Sequence, residues 1–331
     1  MGKQVKTPRF YVDMPTFLHA TGQLGWDSDN GGAELLYMHC ANPYLGTSFQ
    51  IGADSNKKTS FPINFVGLLN HNLAGTTLLI NGNTTSITPS ASVINYDSSS
   101  GITYNGTSIF TFTEDNQVWE KFTIEQDLDD GVEATLKQLG SLVVGKYFDC
   151  PNSPDLNLTM SRRFDGIKRQ KTVGGKTLAN IYYDGPTEWT MNGPDGTTYK
   201  YPPFELDTTD SSQFDQRVKS GIGRKGLRSW KLTFSYITES DMWIDNEVSN
   251  VIVSDDTDFT NIEPNPMMSD NSFNFVWNCT LGGTLPFIFT DDKDSNEPDR
   301  YAICNFRENS LSVQQVAFNT YKVSMTIDEI A

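Results

Sequence analysis

Residues 231–237, Lys-Leu-Thr-Phe-Ser-Tyr-Ile, decide the fold class of this chain. Apolar Leu232 and Phe234 alternate with threonine and serine, which is the period of a strand with one buried face. Residues 321–327, Tyr-Lys-Val-Ser-Met-Thr-Ile, show the same alternation near the end of the chain. Both stretches therefore predict half-buried β-strands.

The stretch around these two runs, residues 151–331, alternates strand-like runs with long polar loops. The runs are ANIYYDG (179–185), RSWKLTFSYI (228–237), NFVWNCTL (274–281), LPFIFTD (285–291), RYAICNF (300–306) and YKVSMTIDEI (321–330). One short helix is predicted within 240–250. Loops 184–226 and 250–272 are long for a compact domain, so we expect them to become ordered against neighbouring subunits.

Residues 46–150 predict a second β-rich unit, with a boundary at the proline-containing stretch 150–165. Short apolar runs alternate here with Gly, Asn and Ser, and Asn81-Gly82 and Asn105-Gly106 are typical of tight hairpin turns. The sequence offers no long amphipathic helix that would cover one face of a single sheet, and this favours a two-sheet sandwich. Residues 1–45 are predicted to form an arm whose short helix begins near Pro15 and ends at Gly22.

Composition agrees with an all-β protein and limits its partners. The 331 residues carry a net charge of -16, so no nucleic-acid partner is expected, because phosphate binding needs clustered cations. No apolar run approaches a membrane span and the N-terminus has no signal-peptide core, which predicts synthesis in the cytoplasm without membrane insertion. Cys40, Cys150, Cys279 and Cys304 predict buried thiols, although a Cys279–Cys304 bridge is left open.

Charge is divided unevenly between two adjacent stretches. Residues 160–231 hold 13 Lys and Arg against 8 Asp and Glu, whereas residues 232–292 hold 11 acids and no Lys or Arg. Such blocks are commonly solvated loops. The alternative is head-to-tail docking of the basic stretch on the acidic stretch of a neighbour in a ring, with Arg224, Lys225 and Arg228 as interface residues.

Chemical motifs predict no catalytic residue, no metal and no cofactor. Three scattered histidines occur outside any hydrolase or nucleotide-binding motif. Residues 291–299 crowd hard oxygen ligands as Ca²⁺ requires, but Glu297 stands where an EF-hand needs glycine, which excludes that motif. Tyr96, Tyr104 and Trp119 are candidates for stacking on a sugar, although buried packing is the commoner role of such side chains.

Two groups of motifs resemble proteins of phage particles. Residues 64–73 (Asn-Phe-Val-Gly-Leu-Leu-Asn-His-Asn-Leu) and 139–147 (Leu-Gly-Ser-Leu-Val-Val-Gly-Lys-Tyr) resemble a discoidin-like, galactose-binding-type jelly roll. The second half resembles structural proteins of marine tailed bacteriophages and, more loosely, tail-tube and distal-tail domains. Its motifs are Arg-Arg-Phe-Asp-Gly (162–166), Gly-Gly (174–175), residues 228–236, Leu-Pro-Phe-Ile-Phe (285–289) and the closing strand 321–329.

The resemblance implies a jelly-roll β-sandwich followed by a tail-tube-like β-sandwich with long loops, and it implies a virion protein without enzymatic activity. The expected role is a tail-tip, distal-tail or baseplate subunit that forms a ring with copies of itself and contacts other virion proteins. Two alternatives stay open: a module that binds host surface glycans, and a capsid decoration or vertex protein.

Overall fold

The computed structural model describes residues 4–22, 32–40, 44–52, 59–73, 75, 78–82, 86–87, 91–94, 96–97, 101–103, 106–119, 121–126, 137–164, 168–180, 226–244 and 270–330. The first-half strands are β1 (Arg9–Asp13), β2 (Tyr44–Gly46), β3 (Ser48–Gly52), β4 (Thr59–His71), β5 (Leu78–Asn81), β6 (Ser86–Ile87), β7 (Ala91–Ile94), β8 (Tyr96–Asp97), β9 (Gly101–Ile102), β10 (Gly106–Trp119), β11 (Lys121–Gln126) and β12 (Lys137–Asp149).

The second half adds β13 (Thr159–Arg163), β14 (Lys168–Lys171), β15 (Thr177–Asn180), β16 (Leu227–Ile237), β17 (Phe287–Thr290), β18 (Tyr301–Phe306), β19 (Ser312–Ala317) and β20 (Thr320–Glu329). The first half contains the short helix α1 (Met14–Ala20), and the second half contains α2 (Glu239–Met242) and α3 (Phe273–Cys279). Within the described residues, single 3-10 turns cover Ala33–Leu35 and Pro298–Arg300. The expectation of an all-β fold is confirmed.

Antiparallel pairing joins strands of both halves into one large sheet. Its order is β13-β16-β20-β18-β17-β1-β12-β4-β10-β7, with β19 paired to β20 and β2 paired to β12. The two stretches with the clearest alternation lie within neighbouring strands, because Trp230 faces Ile327 and Phe234 faces Val323 across β16 and β20. Their apolar faces are thus buried on the same side of the sheet.

A smaller sheet packs on the first half of the large one and forms the predicted sandwich. Its order is β3-β11-β5-β6. Buried side chains of this sheet, such as Ile51 and Phe122, belong to the same hydrophobic cluster as Val66 of β4 and Leu142 of β12. Alternating residues on two facing sheets interdigitate in this way to fill a core.

Strand β1 lies in the middle of the large sheet, between β12 and β17. Phe10 is fully buried, and its ring centroid lies 5.3 Å from that of Phe289 and 6.4 Å from that of Phe148. The N-terminal segment is therefore a central strand, and the prediction of an arm is wrong for residues 4–22. The predicted boundary after Cys150 has no counterpart in the described sheet or core, since both continue across it.

Helix α3 replaces the strand predicted for 274–281. The Ser272 side chain accepts a hydrogen bond from the backbone N–H of Phe275, which caps the helix at its start. Phe273, Phe275 and Val276 are buried, so the apolar run packs as a helix buried on most sides. Periodicity alone does not separate a short buried helix from a buried strand.

The remaining helix predictions are met in part. Helix α1 has its proline in the first turn, and Gly22 beyond its end has a left-handed φ of 70°, as predicted. Only Glu239–Met242 of the predicted helix near 240–250 is helical, and residues 245–250 lie outside the description. No helix in the described ranges has the length and apolar character needed to cross a bilayer.

Candidate assembly surface

The hairpin formed by β14 and β15 stands apart from the core. Every side chain from Arg169 to Ala179 is exposed, and the two strands pair with each other as a separate two-stranded sheet. A two-stranded hairpin is only marginally stable alone in water, because it has no apolar face to bury. Val173 at its turn is fully exposed and Leu178 is 56% exposed, so this hairpin presents apolar groups to solvent.

A network around Thr172 orders the turn of this hairpin. The Thr172 N–H donates to the Lys176 carbonyl at 2.8 Å, and the Lys176 N–H donates to the Thr172 hydroxyl at 3.0 Å. Gly175 has φ of 79°, a left-handed conformation that glycine adopts without steric cost. The tip therefore has a defined shape and exposed side chains, and a preformed shape lowers the entropy lost when a partner binds.

A cleft of about 220 Å³ lies beside β13, where this strand pairs with β16. Arg307 donates to both carboxylate oxygens of Asp328 at 2.7 and 2.8 Å and to the Ser229 hydroxyl at 3.0 Å. Partial burial raises the pKa of Asp328, but the hydrogen bonds from Arg307 and Ser229 outweigh it and hold the pKa below its usual value. This part of the cleft is an internal ion pair that ties β16, β20 and the loop after β18 together.

Arg228, predicted as an interface residue, is buried in the structure. Its guanidinium donates to the Glu329 carboxylate at 2.9 Å and to the Tyr301 carbonyl at 2.6 Å, and it lies over the Trp230 ring. Glu329 is only 2% exposed, so breaking the pair would leave a buried charge unpaired. The side chain is therefore used within the chain, and this part of the interface prediction needs correction.

The structure describes no side chain of the other residues named from the sequence. Arg224, Lys225 and Tyr104 lie outside the described residues, and so do most of the two long loops. Tyr96 is the first residue of β8 and Trp119 the last residue of β10, but their side chains are outside the description. Docking through Arg224 and Lys225 and sugar binding by the three aromatic residues stay predictions.

The acidic loop 291–299 pairs with cations of the chain itself. Arg300 contacts Asp291 at 2.9 Å, and Lys6 contacts Asp292 at 2.9 Å. Burial raises the pKa of Asp291 in spite of Arg300, whereas for Asp292 the hydrogen bonds from Lys6 and the Asp294 N–H outweigh burial and lower the pKa. The Lys6 N–H also donates to the Asp291 carbonyl, so the loop holds the segment that leads into β1.

Two features of the described residues bear on chemistry: the absence of a metal-ligand cluster and a buried His–Ser pair. No group of three or more His, Cys, Asp or Glu in that part of the chain is arranged to hold a metal ion. The Leu73 N–H donates to His71 Nδ1, so Nε2 carries the ring proton and donates to the Ser108 hydroxyl at 2.9 Å. Burial lowers the pKa of His71 to about 3. This His–Ser pair is thus a neutral core contact, since a ring that donates to serine does not activate it as a nucleophile.

The four cysteines are free and buried, as predicted, and the Cys279–Cys304 bridge is not formed. Burial raises the pKa of the Cys40 thiol to about 12 and that of Cys279 further. Such thiols are protonated and unreactive near neutral pH.

Comparison of the chain with protein-family models, with curated proteins and with solved structures gave no match. The most distinctive surface of the described residues is the hairpin 168–180, which was not singled out from the sequence. The run Lys-Arg-Gln-Lys-Thr-Val-Gly-Gly-Lys-Thr-Leu carried the signal, because three cations precede a Gly-Gly turn and Lys176 follows it.

Proposed function

We propose that this chain is a structural subunit of a tailed-phage virion, at the tail tip, distal tail or baseplate, where copies of it form a ring and contact other virion proteins. The resemblance of both halves to phage particle proteins suggests the setting. The exposed hairpin supports the assembly role, because an ordered element with little of its own surface buried is suited to contact a neighbouring subunit.

A second hairpin supports the same role. Phe318 lies at the turn between β19 and β20 and is 96% exposed. Single exposed apolar residues are ordinary on protein surfaces. Here two such residues, Phe318 and Val173, lie at the tips of hairpins, which is where a subunit with a rigid β-core reaches its neighbours.

Location in the particle tests the proposal. Gradient-purified phage particles from the source culture are analysed by mass spectrometry for peptides of this chain, and by immunogold electron microscopy with antibodies raised against the whole purified protein. We expect its peptides in the particles and label at the tail tip. Label over the head would reassign the protein to capsid decoration, and absence of its peptides from purified particles would reject a virion role.

Binding of host glycans is a separate prediction of the resemblance. A glycan array probed with the purified protein measures it directly. Selective binding that is lost in a Trp119→Ala variant would favour an adsorption module over a purely architectural subunit.

A further inference from the structure

Hairpin 168–180 is a cationic element on an acidic protein. It contains Lys168, Arg169, Lys171 and Lys176 and no acid, so the rest of the chain carries a net charge of -20. The side chains of Arg169, Lys171 and Lys176 are exposed. The rest of a second copy therefore carries the charge opposite to that of this hairpin, so the hairpin is locally attracted to it against the net repulsion between two chains of charge -16.

The composition of the hairpin favours a protein partner over a nucleic acid. Residues 168–180 contain no aromatic residue on which a base could stack. They contain instead the exposed apolar side chains Val173 and Leu178, which gain free energy when another protein surface covers them.

The turn between β17 and β18 supplies a candidate acceptor. Asp294, Glu297 and Asp299 are all exposed within six residues, and Glu297 also accepts a hydrogen bond from Arg300 Nε at 3.3 Å. Behind them Asp291 and Asp292 are buried and paired with Arg300 and Lys6, so the turn is anchored to the core. An anchored loop with several outward carboxylates matches a cationic hairpin with a defined tip.

We infer that hairpin 168–180 docks on turn 294–299 of a second copy of this chain. The contact repeats head to tail, because the donor and acceptor surfaces differ, and such a contact generates a ring when the rotation closes. The inference deepens the proposed ring-forming role and rests on it for its biological setting. It uses cations that the structure shows to be exposed in place of Arg228, which is buried.

Sedimentation velocity of the full-length protein tests the contact. We expect self-association that weakens between about 0.05 M and about 0.5 M salt, because exposed charges are screened. The triple variant Arg169→Gln, Lys171→Gln, Lys176→Gln should raise the dissociation constant about tenfold, since each exposed ion pair contributes modestly. The control Lys137→Gln, Lys231→Gln, Lys322→Gln removes the same charge from the sheet and should associate as the unmodified chain does.

A charge swap tests the acceptor. Replacing Arg169, Lys171 and Lys176 by glutamate should abolish association, and adding Asp294→Lys, Glu297→Lys and Asp299→Lys to the same chain should restore it. Circular dichroism verifies the fold of each variant. Where a charge-swapped chain does not fold, the comparison between the glutamine variants and their control tests the contact. Equal association of the hairpin and control variants, a monomer at every salt concentration, or hairpin-dependent binding to DNA without self-association would each overturn the inference.

The two proposals fail separately. Loss of the hairpin effect in a protein that is found at the tail tip would reject the docking contact alone. Salt-sensitive, hairpin-dependent association of a protein that is absent from purified particles would reject the virion role alone.

Discussion

Asp13 is buried between the end of β1 and the start of α1, and its ionisation is linked to folding. Burial raises its pKa to about 7, although the Thr16 hydroxyl and the Val144 N–H donate to the carboxylate and oppose the shift. Its Oδ1 atom has no hydrogen-bond partner. The folded state therefore retains a proton that the unfolded chain releases near pH 4.

We predict that the free energy of unfolding falls less between about pH 4 and pH 7 in an Asp13→Asn variant than in the unmodified chain. In this window the unfolded state binds fewer protons than the folded state, so the free energy of unfolding falls as pH rises, by about 4 kcal/mol in total for a shift of this size. Urea unfolding of both proteins at several pH values measures the difference. The exposed substitution Glu34→Gln is the control, and parallel pH profiles for Asp13→Asn and the unmodified chain would contradict the prediction.

Strand β12 lies close to the backbone of β1 at Gly145. A Cβ atom at this position would lie 2.2 Å from the Val12 carbonyl oxygen and 2.9 Å from Met14 Cγ. Gly67 in neighbouring β4 differs, since the nearest atom to its Cβ would be Val143 Cβ at 3.5 Å, an ordinary contact. The two glycines give a matched pair within one sheet.

We predict that Gly145→Ala destabilises the protein by about 3 kcal/mol, because β1 and the start of α1 must move away from β12. Gly67→Ala should cost about 1 kcal/mol or less. Chemical unfolding monitored by circular dichroism compares the two variants. Similar costs for both would show that the register of β1 and β12 tolerates a side chain at Gly145.

The number of unfolding transitions of the whole chain distinguishes a single shared core from two separate domains. The large sheet and its main hydrophobic cluster include Leu142 from the first half and Phe289 from the second, with β1 between them. A division near residue 150 would separate β1 from β17, its pairing partner. The described residues are therefore expected to unfold together.

We predict that Leu142→Ala and Phe289→Ala each lower the same thermal transition, since each removes about 3 kcal/mol or more from a shared core. Calorimetry and tryptophan fluorescence measure the temperature of this transition. The exposed substitution Leu156→Ala should leave the transition temperature almost unchanged. Two transitions, each shifted by only one of the core variants, would support the two-domain division instead.

Sequence patterns predicted the local structure well where one face of a strand is buried. The alternation around Phe234 and Val323 identified β16 and β20, because a period of two has one structural interpretation when turn residues bound it. Continuous apolar runs were less informative. The run at 274–281 became α3 through the Ser272 cap and burial on several sides, a choice that depends on neighbours distant in the chain.

The sequence predicted that the candidate surface is cationic, but it did not predict where that surface lies. The excess of Lys and Arg over Asp and Glu identifies residues 160–231 as a basic stretch. The sequence does not show which of these cations face solvent. Arg228 is buried because Glu329 lies beside it in the fold, 101 residues away in the chain, whereas Arg169 and Lys176 remain exposed on a hairpin that packs on little else.

By itself, the sequence determined an all-β chain with a strongly acidic surface and a cationic middle, because composition and alternation act over a few residues. Only the tertiary structure decided that the N-terminal segment is the central strand of a sheet shared by both halves. It also decided that Arg228 is buried against Glu329, whereas Arg169, Lys171 and Lys176 are exposed. Both outcomes depend on long-range strand pairing, in which Phe10 gains its burial from residues near 148 and 289, and no local pattern encodes such pairing.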